Sequence, residues 1–212
     1  MKTHVFMFSF GEMSFCAAKR WVGANGAEHA RLLFCDTKYE DEDTYRWGRA
    51  AAAALAPVPL IEISEGRSPW ELFHEEGIIG NTRADPCSRM LKRELARAWM
   101  EENYPDPATA AVCVGIYFQE EERLTAIRRN WHPYEVIAPL CQRPYLFPDD
   151  LRRMVEGAGL WKQDLYKDGW EHANCGGRCI KQGHNGFIRL LELRRESFLE
   201  VEAEERAFRD RT

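Results

Sequence analysis

The residues best equipped for chemistry are cysteines. Cys175 and Cys179 stand in "NCGGRC", a Cys-x-x-x-Cys pair whose two glycines leave the backbone free to wrap around a bound centre. Cys87, in "DPCSRMLKREL", opens a predicted helix, where the helix dipole and the cations Arg89 and Lys92 are expected to lower its thiol pKa. Three thiolates from two loops suit an iron–sulfur cluster with one open iron, or a zinc site completed by His172, His184 or a carboxylate. A redox disulfide would use the same residues, and three unconnected buried thiols are the plain alternative. Cys16, Cys35, Cys113 and Cys141 lie in apolar surroundings and read as core. The total of seven is odd, and with no secretion signal this favours reduced thiols, metal ligation or redox chemistry over a disulfide framework.

A second candidate is the stretch "HVFMFSFGEMS" (4–14). An apolar run that stops at Ser9 and Gly11 and passes into a helix presents backbone N–H groups and a positive dipole end to an anion. The alternative is an ordinary strand-to-helix turn capped by Ser14. Asp36 and Thr37, in "FCDTKYEDEDTYRW" (34–47), stand where side chains reach an adenine or a ribose, or else form a turn. The acids 40–43 read as a helix start favoured by the macrodipole.

These residues must be held by something, and the pattern around them is regular. Apolar or β-branched runs recur at 4–10, 31–36, 58–64, 111–118 and 134–140. Helical spacing fills 14–22, 43–56, 69–76, 88–103, 120–131 and 148–157 between and after them. The alternation predicts an α/β protein with a doubly wound, mostly parallel sheet and helices on both faces. The ligand crevice is expected where the loops after Phe8, Cys35 and Val114 converge. Residues 1–156 are expected to form this domain. The glycine-rich stretch 157–186 is too long for a structureless connection and reads as ligand-organised. From Phe187 the chain returns to helical spacing, so 157–212 is expected to pack on the same domain.

Hydrophobic residues at 45% and charged residues at 30% belong to a folded soluble chain, and a net charge of −5 argues against a generally DNA-coating surface. No apolar run approaches the roughly 18 residues needed to span a bilayer. The N-terminal apolar stretch also lacks a small-residue cleavage site, which predicts a cytoplasmic protein without a membrane partner.

Five motifs in order carry a resemblance: "SFGEMS", "LLFCDT" followed by "EDEDTYRW", "NTRADPCSRMLKREL", "VGIYFQEEER" and "LYKDGWEHANCGGRCIKQG". Together they resemble the phosphoadenosine phosphosulfate (PAPS) reductase family of the PP-loop, or adenine nucleotide alpha-hydrolase, superfamily, in the form common in phage genomes. The resemblance covers most of the chain and places a phage-encoded protein in the host cytoplasm. It implies ATP or a related adenine nucleotide, with magnesium, as a cofactor. Ser9, Gly11 and Ser14 would touch phosphate, Asp36 and Thr37 would lie near the adenosine, and Gly115, Glu120 and Arg123 would line the same crevice. Cys87, Cys175 and Cys179 would hold a [4Fe-4S] cluster, with zinc as the alternative. Lys92 and Arg123 would neutralise charge in the transition state.

The chain also departs from that pattern. Phe10 stands where the superfamily has glycine, Met13 where it has aspartate, and the loop is about two residues short of the glycine-richer phage type. No cysteine follows Cys179, so the covalent tail chemistry of true sulfonucleotide reductases is not expected. Adenylation of a substrate oxygen followed by sulfur transfer fits better, with a small molecule or a tRNA or DNA base as acceptor. A noncatalytic nucleotide-sensing or partner-modulating protein with a degenerate loop is the rival, and the C-terminal helix offers a homodimer surface.

Overall fold

The computed structural model describes residues 2–81 and 83–211; Met1, Thr82 of the "NTRADPC" motif and Thr212 lie outside the described residues. In chain order the main elements are β1 (Thr3–Met7), α1 (Glu12–Asn25), β2 (Ala30–Asp36), α2 (Glu42–Ala53), β3 (Leu60–Ser64), α3 (Pro69–Glu76), α4 (Leu95–Asn103), β4 (Ala110–Cys113), α5 (Arg123–Trp131), β5 (Glu135–Ile137), α6 (Pro148–Glu156), α7 (Gly183–Leu193) and α8 (Arg195–Arg211).

The five strands form one parallel sheet in the order β3-β2-β1-β4-β5, with helices around it: a doubly wound α/β fold. His4 lies opposite Ala30 and Ala111, Phe6 opposite Leu32 and Cys113, and Val112 opposite Val136. The strands are short and almost wholly apolar because both faces are covered. Successive side chains alternate between two cores. Phe6, Phe8, Leu32, Phe34 and Cys113 pack with Phe15, Trp47, Ala51, Leu151 and Val155 of α1, α2 and α6. Val5, Leu33, Val112 and Val114 pack on the opposite side with Ala96, Met100 and Leu124 of α4 and α5. Cys16 and Cys113 are buried in the first core and Cys35 and Cys141 pack against the second, and burial pushes the Cys16 thiol up to about 12.

The strand order reverses between β1 and β4, so in this topology the natural ligand crevice lies at their carboxyl ends. The apolar run 4–10 outlasts β1 because Phe8, whose N–H still donates to the Leu33 carbonyl at 2.8 Å, and Phe10 remain in the core past the last strand residue. Likewise 111–118 outlasts β4. Helix 88–103 of the sequence reading is interrupted: Pro86–Ser88 is one helical turn, Arg89–Glu94 is π-helical, and α4 follows.

Residue contacts divide the chain into two units. The first comprises Met1–Cys35, Tyr45–Ile63 and Ala96–Trp161 and contains nearly all of the sheet. The second comprises Asp36–Thr44, Ser64–Leu95 and Lys162–Thr212. It has its own core of Trp70, Phe73, Leu165, Trp170, Leu190 and Val201, in which α8 packs on α7 and α3. No helix among the described residues is long and apolar enough to cross a membrane.

Candidate functional sites

In the first unit, the turn from β1 into α1 is built around an unusual residue. Phe10 has φ +58°, the left-handed conformation that glycine adopts freely and a bulky side chain rarely does. Its ring is fully buried, stacked on Phe34 at 3.6 Å with planes 8° apart and edge-on to Phe8 at 5.7 Å. Phe10 therefore supplies a glycine-like backbone while its side chain belongs to the core. Met13 likewise packs against that core.

Gly11 precedes α1, whose first turn receives no side-chain cap. Ser14, expected either as cap or as phosphate ligand, donates its hydroxyl to the Gly11 carbonyl at 2.8 Å and accepts from Ser9 at 3.3 Å. Gly115, just past β4, lies against this turn: a Cβ there would stand 2.8 Å from the Ser14 nitrogen and Cα. The structure thus brings Ser9, Gly11, Ser14 and Gly115 together at the β1/β4 reversal. Glu120 and Arg123 also follow β4 but are ion-paired with one another at the surface. Asp36 and Thr37 belong to the second unit. The Asp36 carboxylate accepts from the Lys38 N–H at 2.8 Å, and the Thr37 hydroxyl is buried with no hydrogen-bond partner among the described residues.

The second unit gathers the three candidate cysteines. Cys87, Cys175 and Cys179 line one cavity of about 20 Å³ together with Tyr39, Pro69, Trp70, Phe73, Arg178 and Ile180. Cys175, Gly176 and Gly177 all have positive φ, of 57°, 58° and 75°. This left-handed turn leads Cys179 back to within hydrogen-bond reach of Cys175. The Cys175 thiol donates to the Cys179 sulfur, which pushes Cys175 up and holds Cys179 below the usual thiol range. The Lys181 N–H and the Lys181 and Lys92 cations favour the Cys179 thiolate further. Cys87 differs from the expectation at its helix start: burial outweighs the neighbouring dipole and cations and pushes its pKa up.

The turn is fastened by residues that sequence reasoning assigned to a helix start. Glu40, whose side chain is buried, accepts from the backbone N–H of Cys175 and pairs with Lys92 at 3.2 Å. Lys92, expected to neutralise charge in a transition state, is thus engaged beside the cysteines. Asp41 caps α2 through the Thr44 N–H at 2.8 Å and meets Arg194 at 3.1 Å; Asp43 accepts from the Asp164 N–H at 2.8 Å. Arg178 lies 4.1 Å over the Tyr39 ring and donates to the Tyr39 carbonyl at 3.1 Å, and the Trp70 indole donates to the Tyr39 hydroxyl at 3.0 Å. The helix-start reading holds for Asp41, Glu42 and Asp43, which cap or occupy the first turn of α2, and fails for Glu40, which precedes the helix. In the sequence, nothing in the acidic run distinguishes the exposed Glu42 from Glu40, Asp41 and Asp43, whose carboxylates meet distant partners.

Among the described residues, no three His, Cys, Asp or Glu side chains stand in a ready-made metal-ligand arrangement. The donor set still tests the two metals differently. His172 and His184 are exposed and absent from the cavity lining, and the buried Glu40 carboxylate beside Cys175 is engaged by the Cys175 N–H and Lys92. Closed structural zinc sites want four protein ligands, and the cavity lining supplies three thiols and no histidine or carboxylate. No protein-family model matches the sequence, and no curated protein matches it.

Proposed function

We propose that the protein is a PAPS reductase-like, adenine-nucleotide-binding enzyme whose Cys87, Cys175 and Cys179 hold a [4Fe-4S] cluster and which transfers sulfur to an activated carbon. The observation that carries this reading is the convergence of these three thiols on one cavity whose lining holds no histidine or carboxylate. Bound there, the cluster would present one iron free of protein ligands to the incoming sulfur. Loading requires the Cys175 thiol to give up its proton and its hydrogen bond to Cys179, and the left-handed turn held by Glu40 keeps both sulfurs on the same side of the cavity. In the first unit, the uncapped first turn of α1 supplies backbone N–H donors for phosphate, with Gly115 permitting close approach of the β4 loop. Phe10 leaves that loop open, because its ring lies in the core.

Protein purified without oxygen should be brown and carry iron and acid-labile sulfide, and Cys87→Ala should lose both. Colourless protein with one zinc per chain overturns the cluster. Calorimetry with ATP, AMP and PAPS tests the nucleotide assignment separately; no heat with any of them removes it.

A further inference from the structure

The turn "NCGGRC" does more than bring two sulfurs to one cavity. Its backbone is left-handed at Cys175, Gly176 and Gly177, and it is closed by the Arg178 N–H, which donates to the Cys175 carbonyl at 2.9 Å. Glycine takes this conformation freely and cysteine does not, so the Cys175 side chain stands against the preference of its own backbone. The result is a direct contact between sulfurs, in which the Cys175 thiol donates to the Cys179 sulfur. Both residues are partly exposed. Cys87 lines the same cavity, but its sulfur accepts from the Ser88 N–H. We propose that Cys175 and Cys179 are a redox-active dithiol, which in the metal-free chain reduces a low-molecular-weight disulfide and closes to a disulfide of its own.

Hydrogen bonding assigns the two roles. The Cys179 sulfur receives two donors, the Cys175 thiol and the Lys181 N–H, and donors aimed at a sulfur favour its anionic, nucleophilic form; Cys179 is the attacking sulfur. Cys175 carries the proton, and the Glu40 carboxylate holds its backbone N–H, which keeps it beside Cys179 as the resolving sulfur. In the first exchange the Cys179 sulfur bonds to one half of the small disulfide and displaces the other half as a thiolate. That thiolate takes up the Cys175 proton. The Cys175 sulfur then attacks the Cys179 sulfur, the bond to the remaining half breaks, and that half leaves with the electron pair and is protonated from water. The two cysteines together lose two electrons, and the small disulfide becomes two thiols. The closed pair would withdraw two of the three sulfurs assigned above to the cluster, so its redox state would decide whether the cavity can be loaded. The exchange itself does not rest on that assignment, because it needs neither iron nor nucleotide.

The test uses the full chain, stripped of metal by a chelator and incubated without oxygen with oxidised glutathione. Two molecules of reduced glutathione should be released per chain, two of the seven thiols should be lost, and peptide mapping should find the Cys175–Cys179 bond, which dithiothreitol reopens. Cys175→Ser should release one glutathione and hold the other on Cys179. Cys179→Ser should release glutathione at least about ten times more slowly, and Cys87→Ser should react as the unaltered chain does, each variant being folded by circular dichroism. Retention of all seven thiols, a glutathione that stays on the unaltered chain, a bond to Cys87, or an undiminished rate in Cys179→Ser each overturns the dithiol. Metal is measured on separate, anaerobically purified protein. Brown protein whose stripped form ignores glutathione removes the dithiol alone, and colourless, zinc-bearing protein whose stripped form closes the bond removes the cluster alone.

Discussion

Gly48 sits in the interior of α2, where replacing glycine by alanine ordinarily stabilises a helix by about 1 kcal/mol. Here the sign should reverse. A Cβ on Gly48 falls 2.0 Å from Cγ of Phe10 and 2.2 and 2.4 Å from its Cδ atoms, where ordinary contact begins near 3.4 Å. The ring cannot yield, because it is fully buried, stacked on Phe34 and edge-on to Phe8. Overpacking of a filled core costs about 1–3 kcal/mol and more where nothing can shift. Set against the helix gain, Gly48→Ala should lose about 2 kcal/mol, or about 4–8 °C in Tm for a chain of this size. Phe10→Gly alone should lose about 1–4 kcal/mol: a buried ring worth about 3–5 is removed while the left-handed strain of about 1–2 is relieved. The double variant should be no worse than Phe10→Gly, since the vacated ring volume accepts the new methyl. Urea denaturation of the four proteins, followed by circular dichroism, measures the coupling. A Gly48→Ala protein as stable as wild type, or additive losses in the double variant, would refute the placement of Phe10 in the core and with it the reading of the loop.

Gly115→Ala should cost about 1–3 kcal/mol, because its Cβ meets the backbone of Ser14, which has no flexible end to move aside; calorimetric titration should show nucleotide affinity falling with it. In metal-free protein, a thiol-alkylating probe should label Cys179 first, at a pH below the usual thiol range, with Cys175 and Cys87 spared until higher pH; peptide mapping that finds Cys175 labelled first contradicts the direction of their hydrogen bond. Glu40→Ala should leave the sheet unit folded by near-ultraviolet circular dichroism yet lower iron content, since it removes the acceptor of the Cys175 N–H and the partner of Lys92. Glu40→Gln should restore part of it by keeping that acceptor. Gly177→Ala, at φ +75° with its Cβ 3.0 Å from Leu165 and 3.1 Å from Trp170, should destabilise the second unit by about 1–3 kcal/mol in the same denaturation assay.

The sheet was legible because parallel strands buried on both faces must be short, continuous apolar runs, and each of 4–10, 31–36, 58–64, 111–118 and 134–140 contains one. Strand ends were less so. Phe10 is as apolar as Phe6, and only its left-handed backbone says that the strand has finished. The gathering of Cys87, Cys175 and Cys179 could be inferred from residue type and glycine content, since a turn with three successive positive φ angles needs such residues. Its fastening could not. Glu40 and Asp43 look like any acids in a first helical turn, and their partners are more than a hundred residues away. The second unit was hidden for the same reason: it is assembled from three separate stretches, and no linker composition marks their edges.

The clasp at Tyr39–Thr44 also sets an order of events in folding. Its bonds to Cys175, Ala173, Asp164 and Arg194 span 135, 129, 121 and 153 residues, so their loop-closure entropy is met only once almost the whole chain exists. The sheet strands β1 and β2, by contrast, pair across a few dozen residues. The cavity lined by the three thiols is therefore expected to take its shape later in synthesis than the β1–β2 pair. A nascent chain truncated before Cys175 has the sheet's sequence complete and still lacks two of the three sulfurs that line the cavity.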